Sequence, residues 1–331
     1  MNLLMIEGIL TIATGVIVFL SLTMILVAIL LYAKKKLMPE GNVKIVVNGE
    51  KEFESEMGGT VLGALQANGI FLSSACGGGG SCGQCRCQVA EGGGEILPTE
   101  VGFFTRKQIK ENWRLGCQVK VKNDLKIQVS EEVFGVKEWE CEVVSNHNVA
   151  SFIKEFVVKL PEGEVLNFKS GSYIQITIPK YDIKFSDYII EDRFKSEWDK
   201  FKMWGLTCKN EEETVRAYSM ANHPAEGNIV MLNIRIATPP FDRNTGTWAA
   251  GIKPGISSAY IFSLKPGDKV KISGPYGDFH ILDTKREMLY VGGGAGMAPL
   301  RSQLLHMLET LKTTDRKITY WNGARSKNEI F

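Results

Sequence analysis

SACGGGGSCGQCRC, residues 74–87, places four of the chain's seven cysteines within twelve residues and fills most of the gaps with glycine. A disulfide framework does not suit it. Seven is an odd count, a chain of 331 residues can build cores without staples, and nothing ahead of it reads as a cleavable secretory signal. Cys76, Cys82 and Cys85 stand instead at C-x5-C-x2-C, a spacing that suits thiolate ligands of a two-iron cluster. Zinc sites tend to pair two C-x2-C knuckles, and this chain has one. The glycines let the backbone turn through positive φ and bring N–H groups close to cluster sulfides. A fourth thiolate must come from elsewhere. Cys117, in RLGCQ, is the distant candidate; Cys87, on the same strand face as Cys85, is the near one, with burial as a small hydrophobe as its alternative fate. Spacing alone leaves both open. Cys141 and Cys208 are isolated and read as structural, and His147, His223, His280 and His306 form no ligand spacing.

Ahead of the cysteines, no charge occurs between Glu7 and Lys34. Those 26 residues would span ~39 Å as a helix, more than the ~30 Å of a hydrocarbon core. A signal peptide would carry its charges before the apolar run; here Lys34, Lys35 and Lys36 follow it, which favours an N-terminus outside and the rest of the chain in the cytoplasm. With no ionisable side chain inside it, the helix reads as an anchor that packs on other membrane helices through its small residues, not as an ion path.

The rest of the composition is that of globular domains: 44% hydrophobic, 23% charged and a formal charge of +2, which gives no reason to expect nucleic acid. Residues 38–41, MPEG, read as a linker. VKIVVNGEKEFESE then alternates around Asn48-Gly49, a hairpin signal. Thr60 is placed to cap a helix over VLGALQANG, and Thr105 with Gln108 forms a capping-box pattern. From Glu138 onward come many short alternating strands, which suggest an antiparallel barrel. It is interrupted by the aromatic, charged segment 180–210, which reads as an inserted lid or docking surface or as a solvated loop over a barrel end. REMLYVGGGAGMAPLRSQLL and KITYWNGA close the chain as strand, glycine turn, helix and strand, the opening of a doubly wound nucleotide domain with later strands expected beyond Phe331.

Three further motifs carry chemistry by their order. Arg216, Tyr218 and Ser219, in RAYSMAN, combine a planar cation, an aromatic ring and a hydroxyl, which fits a pyrophosphate and a stacked ring. Gly255, Ser257 and Ser258 precede a helix whose amides could hold phosphate. Gly293, Gly294, Gly296, Met297 and Pro299 lie between strand and helix, as a pyrophosphate turn should.

Taken in sequence, C-x5-C-x2-C, RAYSMAN, GISS, GPYGDF and GGGAGMAPLRS resemble a ferredoxin domain joined to a ferredoxin–NADP reductase-type module. With the apolar helix in front, the whole chain is similar to the F subunits of the bacterial sodium-translocating NADH:quinone oxidoreductases. The resemblance implies a multidomain protein: a membrane helix (1–36), an α+β, β-grasp ferredoxin-like domain (37–136), an antiparallel β-barrel flavin domain (137–285) and the N-terminal part of an α/β NADH-binding domain (286–331). It implies a 2Fe–2S cluster on Cys76, Cys82, Cys85 and Cys117. It also implies FAD held by Arg216, Tyr218, Ser219 and Gly255 to Ser258, with Tyr218 and Ser219 at the reactive ring, and NADH at Gly293 to Pro299. Cys87 departs from the family, which usually has an aliphatic residue there. The implied partners are NADH, the other membrane subunits of the complex and, through them, quinone; the implied location is the cytoplasmic membrane. Two other readings use the same modules: the reductase component of a soluble oxygenase, separable by membrane fractionation, and a non-enzymatic electron carrier or assembly subunit, separable by NADH-dependent reduction of an artificial acceptor.

Overall fold

The computed structural model describes residues 3–37 and 41–331; Met38, Pro39 and Glu40 of the expected linker lie outside the described residues. The chain divides into two compact units, one of Met1–Asn68 with Cys87–Val129, the other of Gly69–Arg86 with Ser130–Phe331.

The first unit begins with helix α1 (Leu3–Leu37), whose segment Ile12–Ala33 is long and apolar enough to cross a bilayer and is not buried among the described residues. After it come β1 (Asn42–Val47), β2 (Lys51–Glu56), α2 (Val61–Ala67), β3 (Arg86–Glu91), the short helices α3 (Pro98–Val101) and α4 (Arg106–Lys110), β4 (Trp113–Leu115) and β5 (Leu125–Gln128). The strands form one sheet in the order β2-β1-β5-β3-β4, with β1 and β5 parallel. Local chemistry sets its edges as expected. Asn48 and Gly49 both take positive φ in the β1–β2 turn, Thr60 Oγ1 accepts the Gly63 amide, and Thr105 and Gln108 complete a capping box. Ile45 and Val47 of β1, Leu65 of α2 and Ile127 of β5 bury one face; each such side chain contributes about 1.5–3 kcal/mol on leaving water.

The second unit is built on β6 (Lys137–Ala150), β7 (Ile153–Lys159), β8 (Tyr173–Ile178), β9 (Tyr181–Lys184), α5 (Asp192–Lys200), β10 (Thr207–Asn210), β11 (Thr214–Ser219), β12 (Ile229–Arg235), the two-residue strands β13 (Phe241–Asp242) and β14 (Thr247–Trp248), α6 (Ile256–Ser263) and β15 (Lys269–Tyr276). Six of these make an antiparallel sheet in the order β11-β8-β15-β6-β7-β12, and an isolated bridge between Met220 and Leu232 links its two outer strands. The segment 180–210 is not a solvated loop: β9 and β10 pair, and Phe185, Phe194, Trp198 and Met203 are buried in the same core as the sheet. Its aromatics are long enough to fill the core while their polar ends find carbonyls. Trp198 Nε1 donates to Ser151 O at 2.7 Å and Tyr188 OH to Ala259 O at 2.9 Å. The chain closes with β16 (Met288–Gly292), α7 (Met297–Leu305) and β17 (Ile318–Asn322), and β16 pairs β17 in parallel.

Candidate functional site

The cysteine loop is shaped by glycine and by hydrogen bonds to its own backbone. Gly77, Gly78, Gly80 and Gly83 have positive φ. Ser74 Oγ accepts the Gly78 amide at 2.9 Å, and Gln84 Oε1 accepts that of Ala75 at 3.1 Å. Cys76 sits among donors. Burial works against its thiolate, but the backbone N–H groups of Ser81 and Cys82 outweigh that and bring the thiol down to about 6. Cys82 is half-buried and Cys85 buried. At Gly77 a Cβ would lie 2.3 Å from the Val215 carbonyl oxygen and 2.4 Å from Arg216 Nη1, so only glycine lets the loop lie this close to β11.

Cys87 and Cys117 belong to the other unit. Cys87 is fully buried in β3, its Sγ 3.9 Å from the Arg114 carbonyl; burial, aided by Glu100 and Cys117 and opposed by Arg114, pushes its thiol up to about 12. Cys117 is buried after β4, within 3.7 Å of Gln118 Nε2. The backbone around both is held by a buried ion pair that sequence reasoning missed. Arg114 Nη2 meets Glu100 Oε2 at 2.8 Å while Nη1 donates to the Gly93 and Gly94 carbonyls, and Glu100 accepts the Leu97 and Leu115 amides. Charge and hydrogen bonds are thus matched on both sides of the pair, the condition under which a buried pair is tolerated. Two charges fourteen residues apart leave no periodic signal.

RAYS and GISS meet. Tyr218 OH donates to Ser257 Oγ at 2.9 Å, and burial raises the phenol above its usual range. Ser258 Oγ accepts the Ala237 amide at 3.0 Å and donates to Gly255 O, and a Cβ on Gly255 would come 2.6 Å from that of Ala237. The turn is thereby fixed at the amino end of α6. At the carboxyl end Asn146 Nδ2 donates to Ile261 O and Leu264 O, and the buried Lys154, brought down to about 8 by desolvation, reaches Phe262 O. Arg216 Nη1 donates to Val215 O and Thr214 Oγ1. A separate cleft of about 180 Å³ has Arg235, Arg243 and Arg325 on its walls beside Phe152, Phe241 and Trp248.

The third motif opens α7. Gly294 takes φ +56°, and a Cβ on Gly293 would strike Gly323 O at 2.4 Å. Downstream, Arg301 pairs with Glu226 at 2.8 Å and donates to Ala221 O, while Ser302 Oγ donates to Asn222 O. The helix after the glycine turn therefore grips the loop after β11. Burial opposes the Glu226 carboxylate, but the Arg301 bonds, the His223 amide and the Arg301 charge hold it below its ordinary range. A depressed carboxylate stabilises the fold at pH values above its unfolded value, ~4.3, and loses that contribution as pH falls through the lower folded value. Arg301→Gln is accordingly expected to lower Tm at pH 7, with the gap from the unaltered protein closing below about pH 4; a gap independent of pH would rule out the ion pair as its cause.

Among the described residues no group of three or more His, Cys, Asp or Glu is arranged to hold a metal ion. The case for a cluster thus rests on the cysteine loop and on relatives. A 2Fe-2S iron-sulfur cluster binding domain matches residues 45–122, and an oxidoreductase FAD-binding domain matches residues 200–281. The F subunit of the Na(+)-translocating NADH-quinone reductase of Methylococcus capsulatus is 53% identical over 322 residues, 97% of this chain and 78% of the relative. The chain belongs to that family. The F subunit of Idiomarina loihiensis is 52% identical over 96% of this chain and 76% of its own, and that of Pseudomonas aeruginosa 51% identical over 95% and 75%. The fold also matches that of the Amycolatopsis cytochrome P450 reductase GcoB, with a TM-score of 0.53 at 20% identity over 87% of this chain and 74% of that one. In this member of the Na(+)-translocating NADH-quinone reductase family, the FAD-domain match takes in both RAYS and GISS, the two motifs joined by the Tyr218–Ser257 hydrogen bond.

Proposed function

We infer that the chain is the electron-entry subunit of a sodium-exporting membrane NADH:quinone oxidoreductase, taking electrons from NADH through FAD and a 2Fe–2S cluster to partner subunits. The observation that carries this is the identity, over nearly the whole chain, to the F subunits of that complex, joined to a site in which RAYS and GISS share a hydrogen bond. Bound FAD supplies the conversion from hydride to single electrons, and the cluster supplies single-electron carriage.

The residues present fit both groups. Cys76, with its thiolate stabilised by two backbone amides, suits an iron ligand; Cys82 and Cys85 complete the local set, and Cys117 is the fourth ligand. Arg216, anchored through Nη1 to its own strand, keeps its second terminal nitrogen for a pyrophosphate, and the turn from Gly255 to Ser258, whose Gly255 amide is taken by Ala237 O, adds the amides that open α6. Tyr218 is held by Ser257 where it can pack a planar ring, and Ser219 follows it at the strand end. Aromatic walls and three guanidinium groups in the small cleft suit the adenosine end of a dinucleotide. The turn from Gly293 to Pro299 receives the NADH pyrophosphate. The Met220–Leu232 bridge supports closure of the six-stranded sheet into a barrel. The apolar span supports a single-pass anchor, and the lysines after it support cytoplasmic domains.

Iron, acid-labile sulfide and flavin assayed on one purified sample test the reading. About two irons and one FAD per chain are expected, with the protein in the membrane fraction. Zinc in place of iron, or no flavin, overturns it.

A further inference from the structure

The cysteine loop touches the six-stranded sheet at three places, and Tyr173 is at the centre of two. Its hydroxyl donates to Gln84 Oε1 at 2.8 Å and is also hydrogen-bonded to Ser73 Oγ. Gln84 immediately precedes Cys85, and Ser73 lies three residues before Cys76. The Tyr173 ring stacks on Tyr276, with centroids 5.5 Å apart, and the two form with Val136 a buried cluster against which Phe71, at the entrance to the loop, packs. Gly277, at φ +97°, lets the backbone pass beside that ring; a Cβ there would come 2.8 Å from Tyr173 Cδ1. The third contact is Gly77 against Val215 and Arg216 of β11. Tyr173 also stands opposite Ser219 in the β8–β11 register.

One residue therefore links the end of the RAYS strand to the cysteine loop at two points, ahead of Cys76 and between Cys82 and Cys85. We propose that Tyr173 is a positioning residue for electron transfer between flavin and cluster: its hydroxyl latches the cysteine loop in a fixed seat beside the strand that carries the flavin-binding motif. The proposal rests on the functional reading above. Ring and hydroxyl divide the work. Stacking on Tyr276 and the close approach of Gly277 fix where the ring stands, and the two hydrogen bonds carry that position into the loop. The transfer rate depends on how closely the donor and acceptor are held, so a loosened seat slows this step and leaves hydride uptake alone.

The test uses the full chain with both cofactors bound. After anaerobic mixing with NADH, flavin bleaching is followed by absorbance and cluster reduction by freeze-quench EPR. Tyr173→Phe keeps the stacked ring and removes the hydroxyl. It should leave flavin bleaching unchanged and slow cluster reduction about tenfold, within the ~10²-fold that a misplacement of about 1 Å can cost. Ser73→Ala should slow it less, and the double variant should match Tyr173→Phe alone, because both changes remove one shared contact. Cluster reduction at the unaltered rate in Tyr173→Phe overturns the proposal, as does equal slowing of flavin bleaching, which would make Tyr173 part of the flavin fold. Multiplicative effects in the double variant also overturn it. If the unaltered protein gives no flavin bleaching or no reduced-cluster signal, the functional reading fails and takes the proposal with it.

Discussion

Cys117→Ala is expected to remove the iron and the visible absorption of the cluster altogether, while Cys87→Ala keeps both. The two thiols lie in the same unit and both are buried, so burial does not separate them. Their surroundings differ. Cys87 is set in the regular β3 strand with its sulfur toward the Arg114 carbonyl, and it fills core space as a small hydrophobe would. Cys117 stands outside regular strand, in the turn after β4, where the Gln118 amide approaches its sulfur. Removing one sulfur from the β3 core costs about 1–2 kcal/mol through the space left behind, which a folded domain tolerates. Removing a fourth ligand leaves an iron undercoordinated and loses the cluster. Iron and sulfide analysis of both variants with their spectra decides it. A Cys87→Ala protein without iron beside an iron-replete Cys117→Ala protein would exchange the two assignments.

Deleting residues 1–36 is expected to move the protein wholly from the membrane to the soluble fraction. It should also abolish quinone reduction through partner subunits and leave cluster and FAD in place. Among the described residues the segment Ile12–Ala33 is not buried against either core, so its loss takes little packing from the sites. At ~0.3–0.6 kcal/mol for each Leu, Ile, Val and Phe, that segment favours the bilayer by about 5 kcal/mol, enough to set the partition of the whole chain. The measurement is fractionation followed by flavin and iron assay. Loss of both cofactors on truncation would mean that the helix takes part in folding the domains.

What could be read from the sequence was what is local. The turn at Asn48-Gly49, the caps at Thr60 and Thr105 and the glycines of the cysteine loop act within a few residues, and each is where its chemistry places it. The order of RAYS and GISS was legible too, although their junction through Tyr218 and Ser257 joins positions 39 residues apart. Contacts set by sheet register were not. Tyr173 meets Ser73 across 100 residues, and nothing in GSYIQITI distinguishes that tyrosine from any other strand aromatic. The segment 180–210 misled for a related reason. Its charges advertise solvent, but they lie on the outer faces of short elements whose aromatics alternate inward, a pattern too brief and too often broken to register as periodicity.

Helix α1 ends at Leu37 and β1 starts at Asn42, so five Cα-to-Cα steps join them, a reach of about 18 Å when fully extended. With α1 in a bilayer, the first strand of the ferredoxin unit is confined to a thin layer above the lipid surface. Encounters with other subunits in the same membrane then become a search across a thin surface layer instead of through a volume, which raises the effective concentration. Docking faces that would be far too weak to find each other in free solution suffice under that confinement. Inserting flexible residues between Leu37 and Asn42 would thicken that layer and dilute the unit without altering a single contact.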